Sequence, residues 1–325
     1  MRIGLPRTLW YYTYGPFWQR FFTALGHKVV LSPHTTRAVL DKGIVSCVSE
    51  ACLPIKVYFG HLEELAGKVD YLFVPRLVCL SEDRVFCPKF LGLPDMVRHG
   101  GMELPKLLEV RLDRRKGKLF LHQACLEVGR QLGASWWQVT RAFAAALNEQ
   151  VRYCRSLLGG ARPAGVKPPQ RRSLSGPAGR PLRVALMGYP YLIFDDYINL
   201  GLLEKLAAFG VEYRTIDTLK VRDMRRQNHR FPKRPFWHFS DLVARAGFHF
   251  LGPAAGEVDG VIHVTAFACG PDAVVDKLLE MEAERRRQPY LNITLDEQSG
   301  EAGYMTRLEA FVEMLHQREV RAHAQ

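Results

Sequence analysis

The sequence predicts an α/β fold of two Rossmann-like or flavodoxin-like parallel-sheet domains, related by an internal pseudo-repeat. The chain has 325 residues, 47% hydrophobic and 24% charged, which is enough for two cores of ordinary size. A stretch rich in Pro, Gly, Ser and Arg separates two halves of similar pattern. We expect an N-terminal domain with a helical extension over 1–158, a linker over 159–181 and a C-terminal domain over 182–325.

Both halves begin with the same succession of patterns. A short apolar run (3–5 or 184–187) meets a Pro-containing, Tyr-rich loop. A segment of helical period follows and ends at Gly26 or Gly210, and then comes a β-branched run. Each succession predicts a β-loop-α-β unit, and such units form parallel sheets.

The similarity continues further along each half. The segments "VDYLFVPRLVCL" (69–80) and "VDGVIHVTAFAC" (258–269) both begin Val-Asp, continue as a buried-strand pattern and reach a cysteine soon after the strand ends. Ligands of open α/β sheets bind outside the carboxyl ends of strands, so both regions are expected to contribute to sites. The apolar pattern of residues 119–158 predicts two helices broken near Gly133. The pattern of residues 286–315 predicts a strand, a Gly-containing loop and an amphipathic helix.

Three of the seven cysteines are followed by a proline within two residues: Cys52 in "ACLP", Cys87 in "FCPK" and Cys269 in "ACGP". Proline restricts the backbone beside it and so fixes the direction of the thiol, as beside the ligand cysteines of iron–sulfur proteins. A sparse, odd set of cysteines is typical of thiols or metal ligands in a reducing compartment. The alternative for each is a cysteine packed as a small hydrophobe.

Zinc is the first rival, but structural zinc sites use closely spaced pairs, and the chain has no C-x-x-C. Cys47 and Cys52 are five residues apart, and Cys79 and Cys87 are eight apart. We therefore predict Cys52, Cys87 and Cys269 as ligands, with Cys47 and Cys79 as weaker candidates. The three loops converge only if the halves face one another, which suits a cluster in an interdomain cleft.

Other residues near these cysteines are candidates for a supporting role. Lys89 lies two residues beyond Cys87, and Lys56 and His61 follow Cys52 on a predicted helix. Each could hydrogen-bond to a cluster sulfide or stabilise an anionic substrate, or simply lie on the solvated surface. The remaining cysteines, 125 and 154, have helical surroundings and are expected to be ordinary thiols.

The formal net charge of +12 attracts nucleic acid, acidic protein surfaces and phosphorylated small molecules alike. In "RRQNHRFPKRPFWHF" (225–239) basic residues alternate with aromatic ones that could stack on bases, so the alternative function is a basic nucleic-acid-binding protein without catalysis. The P-loop, G-x-G-x-x-G, H-E-x-x-H and G-x-S-x-G motifs are all missing. With no apolar run of about 18 residues and no signal segment, we predict a cytoplasmic protein without a membrane partner.

The motifs "IGLPRTLWYYTYGPFWQRFF", "EACLPIKVYFGHLEEL", "FCPKFLGLPD", "AFACGPDA" and "LDEQSGEAGYMTRLEAF" together resemble the activase-related proteins of the 2-hydroxyacyl-CoA dehydratase superfamily. The resemblance covers nearly the whole chain except the linker. It implies a stack of Rossmann-like or flavodoxin-like domains with a [4Fe–4S] or related iron–sulfur cluster, whose ligands match here at Cys52, Cys87 and Cys269.

The resemblance also implies a function in anaerobic metabolism. Low-potential electrons arrive from an actin/Hsp70-like, ATP-dependent activator, and the dehydratases remove water from a 2-hydroxyacyl-CoA. We therefore predict an iron–sulfur electron-transfer protein, or a dehydratase or reductase subunit acting on an acyl-CoA or another small molecule, as a homodimer or heterodimer. The chain departs from the characterised dehydratases because no segment for holding CoA and no partner-subunit sequence can be identified.

Overall fold

A computed structural model describes residues 1–81, 83–163, 165–166, 180–231 and 233–323 of the chain. Spatial contacts divide the chain into two units. The first unit comprises Met1–Leu157 and Phe236–Phe239, and the second comprises Leu158–Pro235 and Ser240–Gln325. Most of the predicted linker, residues 164 and 167–179, lies outside the described residues.

The first unit contains two sheets surrounded by helices. Its strands are β1 (Arg2–Leu5), β2 (Lys28–Leu31), β3 (Tyr71–Phe73), β4 (Arg76–Cys79), β5 (Lys106–Leu108) and β6 (Arg111–Asp113). Its helices are α1 (Tyr11–Ala24), α2 (Arg37–Ser46), α3 (Leu53–Leu65), α4 (Pro88–Leu91), α5 (Leu93–Arg98), α6 (Phe120–Gln131) and α7 (Trp136–Leu158).

The second unit is built on one sheet. Its strands are β7 (Arg183–Gly188), β8 (Glu212–Thr215), β9 (Gly260–Ala266) and β10 (Tyr290–Leu295). Its helices are α8 (Pro190–Ile193), α9 (Leu202–Ala208), α10 (Val221–Arg225), α11 (His238–Phe250), α12 (Gly270–Arg286) and α13 (Glu301–His323).

The two four-stranded sheets have the same topology. The first has the order β2-β1-β3-β5 and the second β8-β7-β9-β10, so in each the first strand lies between the second and the third. Every pairing within these sheets is parallel. The predicted α/β class and the internal pseudo-repeat are therefore confirmed.

The buried-strand pattern predicted within residues 69–80 corresponds to two short strands. Pro75 has no N–H to donate and separates β3 from β4, while the backbone N–H of Val74 still bonds to Leu108 O at 3.1 Å. Strands β4 and β6 form a small parallel sheet of their own beyond this point. Cys79 is consequently the buried last residue of β4, where the sequence predicted a loop position after the strand.

The helical extension of the first half is confirmed as two helices, α6 and α7. Gly133 lies between them with a φ of 74°, a left-handed conformation that glycine adopts without strain. The side-chain amide of Gln150, on α7, donates to Thr13 O at 2.9 Å and ties the helix to α1. Within the described part of the chain, no helix is both long and apolar enough to cross a bilayer.

Helices α2 and α3 cross as an antiparallel pair at unusually short range. A Cβ added to Gly43 would lie 1.8 Å from the carbonyl oxygen of Lys56, and one added to Gly60 would lie 1.8 Å from that of Val39. Only glycine permits this approach of two backbones. Residues 47–52 connect the two helices, so the close crossing also restricts the positions of Cys47 and Cys52.

We expect Gly60→Ala to destabilise the protein by about 1–3 kcal/mol or more, because the added methyl group must push the two helices apart. Chemical denaturation followed by circular dichroism measures this. The matched control is Gly303→Ala in α13, where an added Cβ meets open space. The control should be neutral or stabilising by up to about 1 kcal/mol, and equal effects of the two substitutions would contradict the packing argument.

Candidate functional site

Cys52 and Cys87 occupy equivalent positions at the starts of two helices. Cys52 precedes α3 with φ −66° and ψ 153°, and Cys87 precedes α4 with φ −64° and ψ 160°. Each helix has a proline in its first two positions. The predicted role of proline in fixing the thiols therefore has a local structural basis: extended backbone at the cysteine, then a helix whose free N–H groups favour negative charge on sulfur.

The two thiols lie close enough to influence each other. Burial is the main cause that raises the pKa of Cys52 to about 11, and charge on Cys87 acts in the same direction. Burial likewise raises the pKa of Cys87. Neither sulfur accepts a capping hydrogen bond of normal geometry, but the N–H of Ile55 still lowers the pKa of Cys52, and that of Phe90 lowers the pKa of Cys87. Without a bound cation both thiols therefore remain protonated near neutral pH.

Two lysines supply positive charge to this group. The ammonium of Lys89 lowers the pKa values of Cys47, Cys52 and Cys87 against the larger opposing effect of burial, and Lys56 acts in the same direction on Cys47. Lys56 is only 5% exposed. It therefore does not lie on the solvated surface, which was one of the alternatives for this residue from the sequence. We call these five residues the thiol–lysine cluster.

Two predicted residues lie elsewhere in the first unit. His61 is nine residues beyond Cys52 on α3, about 13 Å along the helix axis, and its Nε2 lies 3.0 Å from Thr35 Oγ1. The His61 side chain is buried, and burial lowers its pKa to about 3. Cys79 donates from Sγ to Ser81 O at 2.7 Å. The structure therefore does not bring either residue into the thiol–lysine cluster.

Cys269 belongs to the second unit and also precedes a helix with a proline in its first turn, although its ψ of 84° differs from the extended backbone of Cys52 and Cys87. It precedes α12 just after the carboxyl end of β9, with Pro271 in the first turn. Ala268 before it has a φ of 63°, which a residue with a Cβ adopts only under strain. Strained backbone of this kind is concentrated at functional sites, which agrees with the region predicted from the strand end.

A buried charged network, not predicted from the sequence, lies beside this helix start. His263 on β9 has Nδ1 3.0 Å from Asp276 and Nε2 3.5 Å from Asp272. Burial lowers the pKa of His263, but the two carboxylates outweigh it and raise the pKa to about 9. The Tyr290 hydroxyl donates to Asp276 at 2.6 Å. The available signal was a histidine inside the apolar run "GVIHVTA", followed by two aspartates one helical turn apart.

A metal centre needs several donor side chains that surround one point. Over the described ranges, no three His, Cys, Asp or Glu side chains lie close enough together to hold a metal ion. Cys52 and Cys87 are thiol donors of the kind that iron–sulfur clusters use, and they lie together beside a lysine. The thiols of the first unit could therefore supply part of a thiolate ligand set. The described residues of this unit do not form a complete set.

Comparison with known families agrees with the motifs. The family model described as "CoA enzyme activase uncharacterised domain (DUF2229)" matches residues 2–219, two thirds of the chain. The chain belongs to this family. A second model, "2-hydroxyglutaryl-CoA dehydratase, D-component", matches residues 254–315. The activase-family match includes Cys52 and Cys87, and the D-component match includes Cys269. The resemblance to activase-related proteins of the dehydratase superfamily is confirmed, and no curated protein matches the chain.

We expect Lys89→Met to slow alkylation of Cys47, Cys52 and Cys87 at a fixed pH by about threefold or more, because loss of the ammonium raises their pKa values. Mass spectrometry after timed iodoacetamide treatment reports each cysteine separately. Cys154, exposed on α7, serves as the internal control and should react at an unchanged rate. Equal slowing at all four thiols would indicate a general structural change instead.

The His263 network predicts a specific pH dependence of stability. The folded-state pKa of about 9 lies above the ordinary value of 6.5, so the contribution is fully present below about pH 6.5 and is lost as the pH rises through 9. Relative to His263→Gln, we expect the wild type to lose on the order of 1–3 kcal/mol of unfolding free energy over that interval. Urea unfolding between pH 6 and 10 measures this. A constant difference would contradict the buried imidazolium.

Proposed function

We propose that this protein is an iron–sulfur redox protein of the 2-hydroxyacyl-CoA dehydratase type that accepts low-potential electrons from an ATP-dependent activator. The observation that carries the proposal is the pair Cys52 and Cys87, each at a proline-fixed helix start and both beside Lys89. Membership of the activase family and the match to a dehydratase component support it.

The proposed ligands are Cys52, Cys87 and Cys269, and the proposed cofactor is a [4Fe–4S] or related cluster. Cys269 is included because it also precedes a helix with a proline in its first turn and lies in the segment matched by the dehydratase component. When bound, such a cluster supplies one-electron chemistry at low potential. Cys47 is the reserve ligand because it shares the influence of Lys89, whereas Cys79 has separate surroundings.

The lysines have a defined role in this proposal. Binding of a cluster replaces the thiol protons of Cys52 and Cys87, which leaves buried negative charge on sulfur. The ammonium of Lys89 lies close enough to reduce that cost, as its effects on the pKa values of Cys52 and Cys87 indicate, and Lys56 acts in the same way on Cys47. Nearby positive charge also favours acceptance of an electron by an anionic cluster.

The proposed partner is the activator, of the actin/Hsp70-like class that hydrolyses ATP. The name of the matched family refers to a CoA enzyme activase, and a net charge of +12 favours association with an acidic protein surface. An acyl-CoA or another small molecule would be the final acceptor. The cytoplasm is the proposed location, because free thiols and clusters persist in a reducing compartment.

Anaerobic reconstitution with iron and sulfide tests the cluster. We expect the wild type and Cys154→Ala to bind iron and sulfide and to become brown. Cys52→Ala, Cys87→Ala and Cys269→Ala should each lose most of the iron, because each removes one thiolate ligand. Cys154 is a matched control because it is a free thiol on the surface of α7.

Iron and acid-labile sulfide analysis together with the visible absorption spectrum provides the readout. A colourless wild type without iron after reconstitution would overturn the proposal. Equal iron in all four variants would overturn the ligand assignment. Iron retained only in Cys269→Ala and Cys154→Ala would restrict the assignment to the pair in the first unit.

A further inference from the structure

The basic segment after β8 helps to form a cavity of about 460 Å³ within the second unit, lined by residues from α10, α11 and α12 and their connections. Five of its lining residues carry guanidinium or imidazole groups: Arg226, His229, Arg230, His249 and Arg286. We call this cavity the arginine pocket. It belongs neither to the thiol–lysine cluster nor to the His263 network.

Positive charge exceeds negative charge around the pocket. The Glu282 carboxylate is shared by three guanidinium groups, those of Arg230, Arg285 and Arg286. Asp223 is in turn shared by Arg222 and Arg226, at 3.5 Å from each. Three of these guanidinium groups, those of Arg226, Arg230 and Arg286, line the pocket together with the Asp223 carboxylate, and this local excess of positive charge is available to an anion.

Arg230 is held rigidly at the wall of the pocket. Its guanidinium lies 5.1 Å from the ring centroid of Phe248, donates to Phe248 O at 2.6 Å and pairs with Glu282. Gly252 makes room for it, since an added Cβ there would lie 2.1 Å from Arg230 Nη1. A pre-positioned guanidinium binds phosphate oxygens with little loss of side-chain freedom.

His249 also lines the pocket, near the end of α11. Its Nδ1 is buried without a hydrogen-bond partner among the described residues. Because this atom is closed off from solvent, we assign the contacts to an anion to the guanidinium groups that line the cavity.

The shape of the site favours a small molecule over a nucleic-acid strand. A cavity of this volume is in the range of small-ligand sites. Two of the four aromatic residues in the basic segment are buried: Phe231 packs on Phe248 at 4.4 Å between centroids, and Phe239 is 5% exposed. Phe236 is 58% exposed, so an oligonucleotide is included among the probes below.

We propose that the arginine pocket binds a small molecule through a diphosphate group. Guanidinium groups match phosphate oxygens in a planar, two-point manner, and several of them around one cavity match the multiple charges of a diphosphate. The pocket contributes binding only, and the proposal does not depend on the presence of a cluster.

Isothermal titration calorimetry of the full chain with inorganic diphosphate tests the proposal, and ADP tests whether the same group is bound within a nucleotide. We expect binding of at least one of the two. Arg286→Gln and Arg226→Gln should each weaken it by about tenfold or more, because a hydrogen bond to a charged group is lost. Tighter binding of ADP would identify a nucleotide as the source of the diphosphate, and equal or weaker binding would identify the free anion.

The matched control is Arg285→Gln. Arg285 is adjacent to Arg286 on α12 and pairs with the same Glu282, but it is not among the residues that line the pocket. We expect less than a twofold change in affinity. Equal weakening by the Arg285 and Arg286 substitutions would overturn the pocket in favour of general attraction of anions. No binding of either probe, or binding of a single-stranded oligonucleotide alone, would also overturn the proposal.

Discussion

The close crossing of α2 and α3 is the constraint on which the candidate site of the first unit depends. Gly43 lies one turn before Cys47, and the Lys56 carbonyl that it approaches lies one turn after Cys52. One backbone contact therefore positions two thiols and the buried lysine together. A larger residue at Gly43 or Gly60 would displace both thiols and the lysine. The tight packing therefore supports the arrangement of the cluster as well as the stability of the fold.

The electrostatics of the thiol–lysine cluster favour neutral thiols over free thiolates. Burial keeps the pKa of Cys52 near 11, and the ammonium of Lys89 and the helix N–H groups only partly oppose this effect. The thiols therefore stay protonated and uncharged unless a bound group replaces their protons. In the proposed function the iron–sulfur cluster would do so, because coordination of a thiolate by a metal ion displaces its proton. The partial compensation by Lys89 limits the cost without making the cysteines reactive nucleophiles.

Sequence reasoning was sufficient for features encoded by short, local patterns. The duplicated parallel order, the helix break at Gly133 and the helix after Cys52 all follow from neighbouring residues. Sequence reasoning was insufficient where distant segments determine the surroundings. It placed Cys87 and Cys269 in loops and did not predict that Lys56 is buried, and the arginine pocket requires residues from three separate helical regions. The strand break at Pro75 could have been predicted, since proline cannot donate to a sheet.

The two halves show that a shared topology fixes positions and leaves the chemistry to side chains. Each unit has the same strand order, and each presents a cysteine at the start of a proline-containing helix. Beside Cys52 the compensating charge is the ammonium of Lys89. Near the start of α12 there are two carboxylates, and the buried cation is His263, which is protonated only below its pKa of about 9. Equivalent backbone positions are therefore accompanied by different ionisable groups in the two units, which is why the two cysteine regions should be tested by separate substitutions.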